Sequence, residues 1–387
     1  MKNVIMHITS AHDVDDPRIF YRHCSSLYEQ GYKVVYSGPF TDINDRKKIN
    51  GINVIEPVAN IINYLNDDKI LLLSIPKYSS RILRFTLGNL FLLRNVLRVK
   101  PTIVEFHDPD LIFVSFILRM VGYKVIANIH EDISDQILNK FWISKILRTT
   151  LSNCFKFFYP VLVSLSSNAR IFATEHIKNK YLLDNSIVTR NFPTKSFTFV
   201  DRFINKRAEH YNKLKLIYVG VLEERRGLKF WNTIANLDII EEIHLVGKFS
   251  PKKSEDMFKK LYLSHKKIIV HGQHDYHYVR EFIDMCDIGI CLIDPNPAYY
   301  HSLPTKIFEY ICRYKPVITN NFPEVRKLLN DFSCCLFLDD VELELENAIN
   351  EINQNYDKFR ESCLQASRVL NWENEKIKYM KLINETL

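Results

Sequence analysis

The stretch Leu214-Lys-Leu-Ile-Tyr-Val219-Gly220-Val-Leu-Glu-Glu-Arg225-Arg226-Gly227 decides how this chain is read. Its apolar run ends in a glycine, the mark of a buried strand whose last residue lets a ligand approach the backbone. Gly227 is expected to open a helix, Gly227–Leu237, whose first N–H groups have no intrahelical partner and attract anions. Arg225 and Arg226 stand just before it, and a guanidinium beside a helix N-terminus suits a diphosphate. The run Glu223–Arg226 reads equally as a solvated turn stapled by its own ion pairs.

Outward from this unit, apolar runs and amphipathic stretches alternate along the chain. Strands are expected at Glu242–Val246, Ile268–His271, Asp287–Ile293 and Pro316–Thr319, with helices at Thr305–Arg313 and Pro323–Leu329. The first half shows the same rhythm. It has strands at Asn3–Thr9, Lys33–Ser37, Thr102–Phe106 and Lys124–Ile129, and helices at Asp16–Gln30, Leu111–Met120 and Ile137–Phe158. Gly31 and Gly122 fall where helix C-caps belong. This alternation predicts an α/β protein of two parallel sheets, each covered by helices on both faces. The polar segment Thr194–Lys213 reads as a linker, and residues 340–387 as almost wholly helical. At 387 residues the chain exceeds the size at which one core stops growing. In such sheets ligands lie at the carboxyl ends of the strands, which is where chemistry is sought.

Composition narrows the function. There are ten glycines in 387 residues, well below the average usage of about 7%. No G-x-G-x-x-G and no Walker sequence is present, so a glycine-rich phosphate cradle is excluded. The eight cysteines include no C-x-x-C pair, which fits buried free thiols in a cytoplasmic protein. No apolar run reaches the length of a membrane span, and Val4–Ile8 reads as a first strand rather than a signal-peptide core. The net charge of +7 is uneven: residues 1–195 carry +8 and the remainder −1. A basic first half favours an anionic partner.

A second constellation is Tyr300-His301-Ser302-Leu303-Pro304-Thr305-Lys306-Ile-Phe-Glu309-Tyr310. Lys306 and Glu309 share a helix face. The helix N-terminus with Lys306 suits a second phosphate, and Glu309 two ribose hydroxyls. An exposed Lys–Glu pair is the competing reading.

Gly220…Arg226-Gly227, Gly272-Gln273-His274 and Leu303-Pro304-Thr305-Lys306-Ile307-Phe308-Glu309-Tyr310 resemble the donor half of glycosyltransferase family 4, the retaining GT-B enzymes of bacterial surface-polysaccharide synthesis. The first half is similar to the family too: Ser10-Ala-His12-Asp-Val-Asp-Asp16-Pro-Arg18, His107-Asp108-Pro109-Asp110-Leu111, His130-Glu131-Asp132, Arg190-Asn-Phe-Pro193 and Asn371-Trp-Glu373. The likeness runs from residue 3 to about residue 380. It implies two Rossmann-like doubly wound domains with a cleft between them and a C-terminal helix crossing back. The acceptor domain would be 1–195 with helix 371–387, and the nucleotide-sugar donor domain 196–370.

The resemblance also implies roles. Arg226, Arg225 and Lys306 would neutralise the diphosphate of a UDP- or GDP-sugar, and Glu309 would hold the ribose. Gln273 and His274 would meet the base. Gly220, His301, Ser302, Leu303 and Pro304 would line the donor site. His107 would stand beside the sugar, with His12, Asp108, His130 and Glu131 on the acceptor side. The leaving diphosphate would help deprotonate the acceptor, so neither a metal nor another cofactor is expected. Two positions depart from the family: His301 stands where it often has Glu, and Val221 where it often has a basic residue. A sugar-nucleotide 2-epimerase of the same fold and a catalytically silent nucleotide-sugar-binding subunit stay open as readings.

Two basic aromatic stretches complete the pattern. Arg81, Arg84, Arg94, Arg98 and Lys100 flank Ile82–Leu93, and Lys140, Lys145, Arg148 and Lys156 accompany Phe141, Trp142, Ile146, Leu147, Phe155, Phe157 and Phe158. Such helices either face a core with a solvated rim or lie on anionic membrane. The family context implies peripheral attachment at the inner face of the cell membrane and a lipid-linked or oligosaccharide acceptor. No nucleic-acid motif is present. His265, His271, His274 and His277 lie close in sequence, but a metal site would need them to converge with a supporting shell, and none is expected.

Overall fold

The computed structural model describes residues 3–40, 48–49, 52–55, 69–140, 143–198, 213–250, 255–256, 258, 265–294 and 296–387. Phe141, Trp142 and most of the expected linker Thr194–Lys213 lie outside them. The chain divides into two compact units, Met1–Asn191 with Glu375–Leu387, and Phe192–Asn374.

The first unit is built on a sheet in the order β3-β4-β5-β2-β1-β6-β7-β8-β9. Its strands are β1 Val4–Ile8, β2 Lys33–Gly38, β3 Lys48–Ile49, β4 Ile52–Ile55, β5 Ile70–Ser74, β6 Ile103–Phe106, β7 Lys124–Ile129, β8 Ala169–Phe172 and β9 Ser186–Val188. All neighbours pair in parallel except β3 with β4. Met6 and Ile8 enter the core made with Leu92, Val96, Leu118 and Val163 of the covering helices. Ile5 and His7, on the opposite face, are equally buried. A strand covered on both faces reads as a continuous apolar run, which is why β1 is legible in sequence.

The second unit has the order β12-β11-β10-β13-β14-β15, all parallel. The strands are β10 Leu214–Val219, β11 Ile240–Val246, β12 Ile268–Gly272, β13 Ile288–Cys291, β14 Val317–Asn320 and β15 Cys335–Leu338. Leu214, Leu216 and Tyr218 pack into one core. Ile217, between them, packs into a second core with Val279, Ile307 and Ile311. The period of two thus sorts one strand onto two helical layers. Counted from β10, the order is 3-2-1-4-5-6, the dinucleotide-binding topology whose switch point lies between β10 and β13. In the first sheet the direction of winding changes between β1 and β6.

Three expectations are corrected. The Asp16–Gln30 helix contains a π-helical turn, Ile19–Cys24, before its α-helical end Ser25–Glu29. The His23 N–H bonds back to the Arg18 carbonyl, one residue further than in an α-helix. The long helix expected over Ile137–Phe158 is two, Ile133–Leu138 and Lys145–Ser166. Asp132 caps the first and Ser144 the second, each accepting a backbone N–H of its own first turn. Lastly, Gly227 does not open an α-helix. It sits at φ 85° between two 3₁₀ turns, Glu224–Arg226 and Leu228–Phe230, and the α-helix begins at Trp231.

Gly31 and Gly122 do close their helices, at φ 81° and 95°. In each case the residue after the glycine donates back to a carbonyl five residues earlier, Tyr32 to Leu27 and Tyr123 to Leu118. The C-terminal region forms the helices Val341–Gln354, Tyr356–Val369 and Trp372–Thr386. Most of the last one belongs to the first unit. The eight cysteines are free, and all but Cys154 are buried.

Candidate functional site

Each unit gathers expected site residues at the carboxyl end of its sheet. In the second unit, β10, β11 and β12 all run into glycine, at φ 130°, 150° and 78° for Gly220, Gly247 and Gly272. They stand side by side: the Gly220 N–H bonds to the Val246 carbonyl and the Gly247 N–H to that of Gly272. A Cβ on Gly247 would lie 1.8 Å from the Gly220 carbonyl oxygen. Close approach excludes a side chain at Gly247, and the positive φ at all three strand ends favours glycine.

Lys306 and Glu309 project from the Thr305–Cys312 helix, which Pro304 precedes in extended conformation. Both are buried, at 8% and 7% exposure, so the exposed-pair reading of them fails. The Lys306 ammonium lies 3.8 Å from the centroid of the Tyr218 ring. A Cβ on Gly220 would meet it at 2.8 Å, so the ammonium hangs over the glycine at the end of β10. It has no hydrogen-bond partner among the described residues. A buried cation held by a ring face keeps its donors for another group. Tyr218 is itself anchored by its hydroxyl, which donates to the Val221 carbonyl at 2.8 Å.

Arg226 approaches from the Glu224–Arg226 turn. Its guanidinium bonds to Glu223 at 3.2 Å and sits 5.6 Å from the Tyr299 ring centroid. Gly227 fits against the chain just after β13: a Cβ there would fall 2.9 Å from the Leu292 carbonyl oxygen. Arg225 is exposed, and its carbonyl accepts from the Asp294 N–H. Ser302 donates its hydroxyl to the Tyr299 carbonyl at 2.7 Å, tying the loop before the Lys306 helix to the Arg226 side. Leu303 packs on the core beneath, and the His301 ring meets that of Tyr300. The structure therefore brings Gly220, Arg226, Ser302 and Lys306 together across the β10–β13 switch point. Gln273 and His274 lie at the same sheet edge beyond β12, both exposed, with the His274 ring against Phe282. Of the histidines near 270, His271 pairs with His244, which the sequence reading did not single out, at 2.9 Å. The side chain of His277 lies outside the described residues.

In the first unit, His12, His107, Asp108, His130 and Glu131 line one cavity of about 140 Å³ with Arg18, Gln136 and Tyr159. Asp108, just after β6, accepts from the Thr9 hydroxyl at 2.6 Å and the Ser10 N–H at 2.7 Å. It thereby ties the loop after β1 to the end of β6. His12 lies between Asp16 at 3.0 Å and Asp108 at 3.3 Å. Burial alone would lower its pKa, but the hydrogen bonds its ring donates to both carboxylates outweigh this and raise it to about 9. His107 and His130 stack at 5.9 Å, and burial holds both far below the ordinary histidine range. Gln136 donates to Glu131 at the cavity rim.

Beneath His107 lies a network that sequence reasoning missed. His7 of β1, Glu105 of β6 and Asn128 of β7 share one buried sheet face, where His23 and Tyr379 meet them. Glu105 accepts from His23 at 2.8 Å, Asn128 at 2.6 Å and the Tyr379 hydroxyl at 2.9 Å. Burial would raise its carboxyl, but the charges of His7 and His23 and the hydrogen bonds from His23 and Asn128 bring it to about 2. His7 Nδ1 stands 3.0 Å from His107 Nε2. His7, Glu105 and His107 are the one trio of donor residues, among the described residues, close enough together for a metal ion. His7 and His107 meet at hydrogen-bond distance, Glu105 lies 3.9 Å and 3.7 Å from them, and three donors already engage the Glu105 oxygens.

Solved structures of the same architecture cover nearly the whole chain. Sucrose-phosphate synthase from Thermosynechococcus elongatus superposes at TM-score 0.72 with 15% identity, covering 99% of each chain. A glycosyltransferase from Rickettsia africae superposes at 0.69 with 13% identity, covering 100% of this chain and 98% of the other. Anabaena HepE, solved in complex with UDP-glucose, superposes at 0.68 with 10% identity, covering 99% and 100%. The fold is that of the GT-B glycosyltransferases. No family model and no curated protein matches the chain.

Proposed function

We propose that this GT-B protein is a retaining glycosyltransferase. It moves a sugar from a UDP- or GDP-sugar to a lipid-linked or oligosaccharide acceptor in bacterial surface-polysaccharide synthesis. One observation carries the donor half of this reading: the buried Lys306 ammonium, without a hydrogen-bond partner among the described residues, sits over Gly220 at the switch point of a dinucleotide-binding sheet. Arg226, paired with Glu223 on one side, adds a second cation, and a diphosphate supplies the charge that Lys306 lacks. Glu309, one turn on from Lys306, suits the ribose hydroxyls. HepE, with UDP-glucose bound in a chain of the same fold, supports a nucleotide sugar as the ligand.

His107 would meet the transferred sugar, and His12, Asp108, His130 and Glu131 the acceptor. The chemistry asks for positioning and for stabilising charge on the leaving diphosphate, which then takes the acceptor proton. No protein nucleophile or cofactor enters this scheme.

The membrane half rests on exposed surface. The helices Asn89–Val99, Ile112–Met120 and Lys145–Ser166 pack side by side. Together with the residues before the first of them, they expose Ile82, Leu90, Phe113, Met120, Ile146, Phe157 and Phe158. Arg81, Arg94, Arg98, Lys145 and Lys156 are exposed among these. Apolar and cationic groups on one surface suit an anionic bilayer at the inner face of the cell membrane. No helix among the described residues is long and apolar enough to cross one.

Thermal-shift screening against nucleotide sugars, followed by transfer with and without acceptor glycolipid, tests the proposal. A donor consumed only with acceptor agrees with it. Epimerised free donor, or binding without turnover, would replace it with one of the other two readings.

A further inference from the structure

We propose that Tyr310 is a positioning residue for the second unit's site: its ring wedges between the ends of β10 and β13, and its hydroxyl holds the end of β10 where the Lys306 ammonium lies over Gly220. The two neighbours of β10 treat it differently. With β11 it pairs along its whole length, up to Val219 opposite Val246. With β13 it pairs only at Leu216 and Ile217, opposite Ile288 and Gly289. Backbone N–H groups along a strand point alternately to its two sides. That of Gly220 goes to Val246 of β11, so that of Val219 points to the β13 side, beyond the last pair there. Such a donor needs an acceptor from outside the ladder. The Tyr310 hydroxyl is that acceptor, at 2.8 Å. The Tyr310 side chain is fully buried and lies against β13, where a Cβ on Gly289 would fall 2.2 Å from its ring. Glycine at 289 gives the wedge its room.

Tyr310 and Lys306 stand four residues apart on the Thr305–Cys312 helix and so share a face. That face holds three successive residues of the strand end. Lys306 lies on the Tyr218 ring, Tyr310 takes the Val219 N–H, and Gly220 lies beneath the ammonium. An ammonium resting on a ring face has no directional bond to fix it, so its place is set by how the helix and the strand end meet. The hydroxyl contact is the directional bond between them. Burial pushes the Tyr310 pKa well above the ordinary tyrosine value, so the hydroxyl stays neutral and does not compete with an anion for Lys306. A phenylalanine would fill the same space, and only the hydroxyl ties down Val219. The hold on the strand end stands on geometry; its effect on nucleotide binding rests on the nucleotide-sugar reading.

The test joins amide hydrogen exchange with calorimetry of UDP and GDP on the whole protein. The Val219 amide should be protected in the wild type and exchange at least tenfold faster in Tyr310→Phe, with the Leu216 and Ile217 amides unchanged. The nucleotide that binds the wild type should bind Tyr310→Phe at least fivefold more weakly, the size of one neutral hydrogen bond. Ile311→Val, in the same helix and core, should lower the thermal midpoint and leave that affinity as it was. Because Tyr310 acts through Lys306, Tyr310→Phe should weaken binding less than twofold further when added to Lys306→Met. A wild-type Val219 amide that exchanges like an exposed one overturns the proposal even if Tyr310→Phe fails to fold. So does a folded Tyr310→Phe with unchanged Val219 exchange or unchanged affinity, an equal loss of affinity in Ile311→Val, or additive effects with Lys306→Met. A wild-type protein that binds neither nucleotide would remove the nucleotide reading, and the exchange result alone would then decide whether Tyr310 holds the strand end.

Discussion

The ammonium of Lys306 rests 3.8 Å from the centre of the Tyr218 ring, with no hydrogen-bond partner among the described residues. A protein selected for stability alone has little reason to bury such a group. Replacing it by an apolar side chain of similar length removes a desolvation cost of about 1–3 kcal/mol. Lys306→Met should therefore raise the urea midpoint of the free protein while weakening UDP or GDP at least tenfold by calorimetry. A variant that loses stability and binds as before would make Lys306 a structural cation.

The three strand-end glycines should rank by what a Cβ meets. At Gly272 nothing lies within 4 Å, so Gly272→Ala bears only the left-handed backbone cost of about 1–2 kcal/mol. At Gly220 the obstacle is the tip of the Lys306 side chain, which can move, and the loss should fall on nucleotide binding. At Gly247 the obstacle is the Gly220 backbone itself, and Gly247→Ala should lose more than about 3 kcal/mol. Denaturation midpoints check the order, and a Gly272→Ala variant less stable than Gly247→Ala would refute it.

Stability should peak near pH 6.5, for reasons of opposite sign on the two sides. His7, whose pKa burial lowers to about 4, and His107 and His130 are neutral in the fold. The unfolded chain takes up protons there that the native chain refuses, so their contribution is lost as pH falls below 6.5. The slope is about 1.4 kcal/mol per pH unit for each proton of difference. His12 works the other way. With a native pKa of about 9, its contribution is complete below 6.5 and disappears as pH rises toward 9. His12→Gln should flatten the alkaline side of a plot of thermal midpoint against pH and leave the acid side in place. A wild-type maximum below pH 5 or above pH 8 would contradict these assignments.

Much of this was legible in the sequence, and the reasons are local. Strands covered on both faces read as unbroken apolar runs, and Gly31, Gly122, Gly220 and Gly247 mark backbone turns that only a short-range pattern is needed to find. Gly227 misled because a glycine before an apolar run looks the same whether it opens a helix or, as here, turns the chain at positive φ. The helix expected over 137–158 failed where Asp132 and Ser144 start separate helices, a capping signal weaker than the apolar periodicity around it. The network of His7, His23, Glu105, Asn128 and Tyr379 had no local signature at all. Its members come from three strands and two helices, and Tyr379 lies more than 250 residues beyond the other four. His7 and Glu105 also stand inside apolar strands, where a single polar residue gives no hint of its partner.

The exposed face of the first unit predicts a charge-dependent attachment. Replacing Arg81, Arg84, Arg94 and Arg98 by Glu should abolish flotation with vesicles rich in anionic lipid, and raising the salt concentration should weaken the wild type in the same assay. Equal flotation of variant and wild type would leave these helices without a membrane role.

Central to the account is that Arg226, Lys306 and Glu309 form one nucleoside-diphosphate site at the β10–β13 switch point. Titration calorimetry of UDP and GDP into the wild type, Arg226→Ala and Glu309→Ala tests this most directly. One of the two nucleotides should bind the wild-type protein at a single saturable site, and each variant should weaken it at least tenfold while remaining folded. No binding of either nucleotide to the wild type, or an unchanged affinity in both variants, would contradict the assignment.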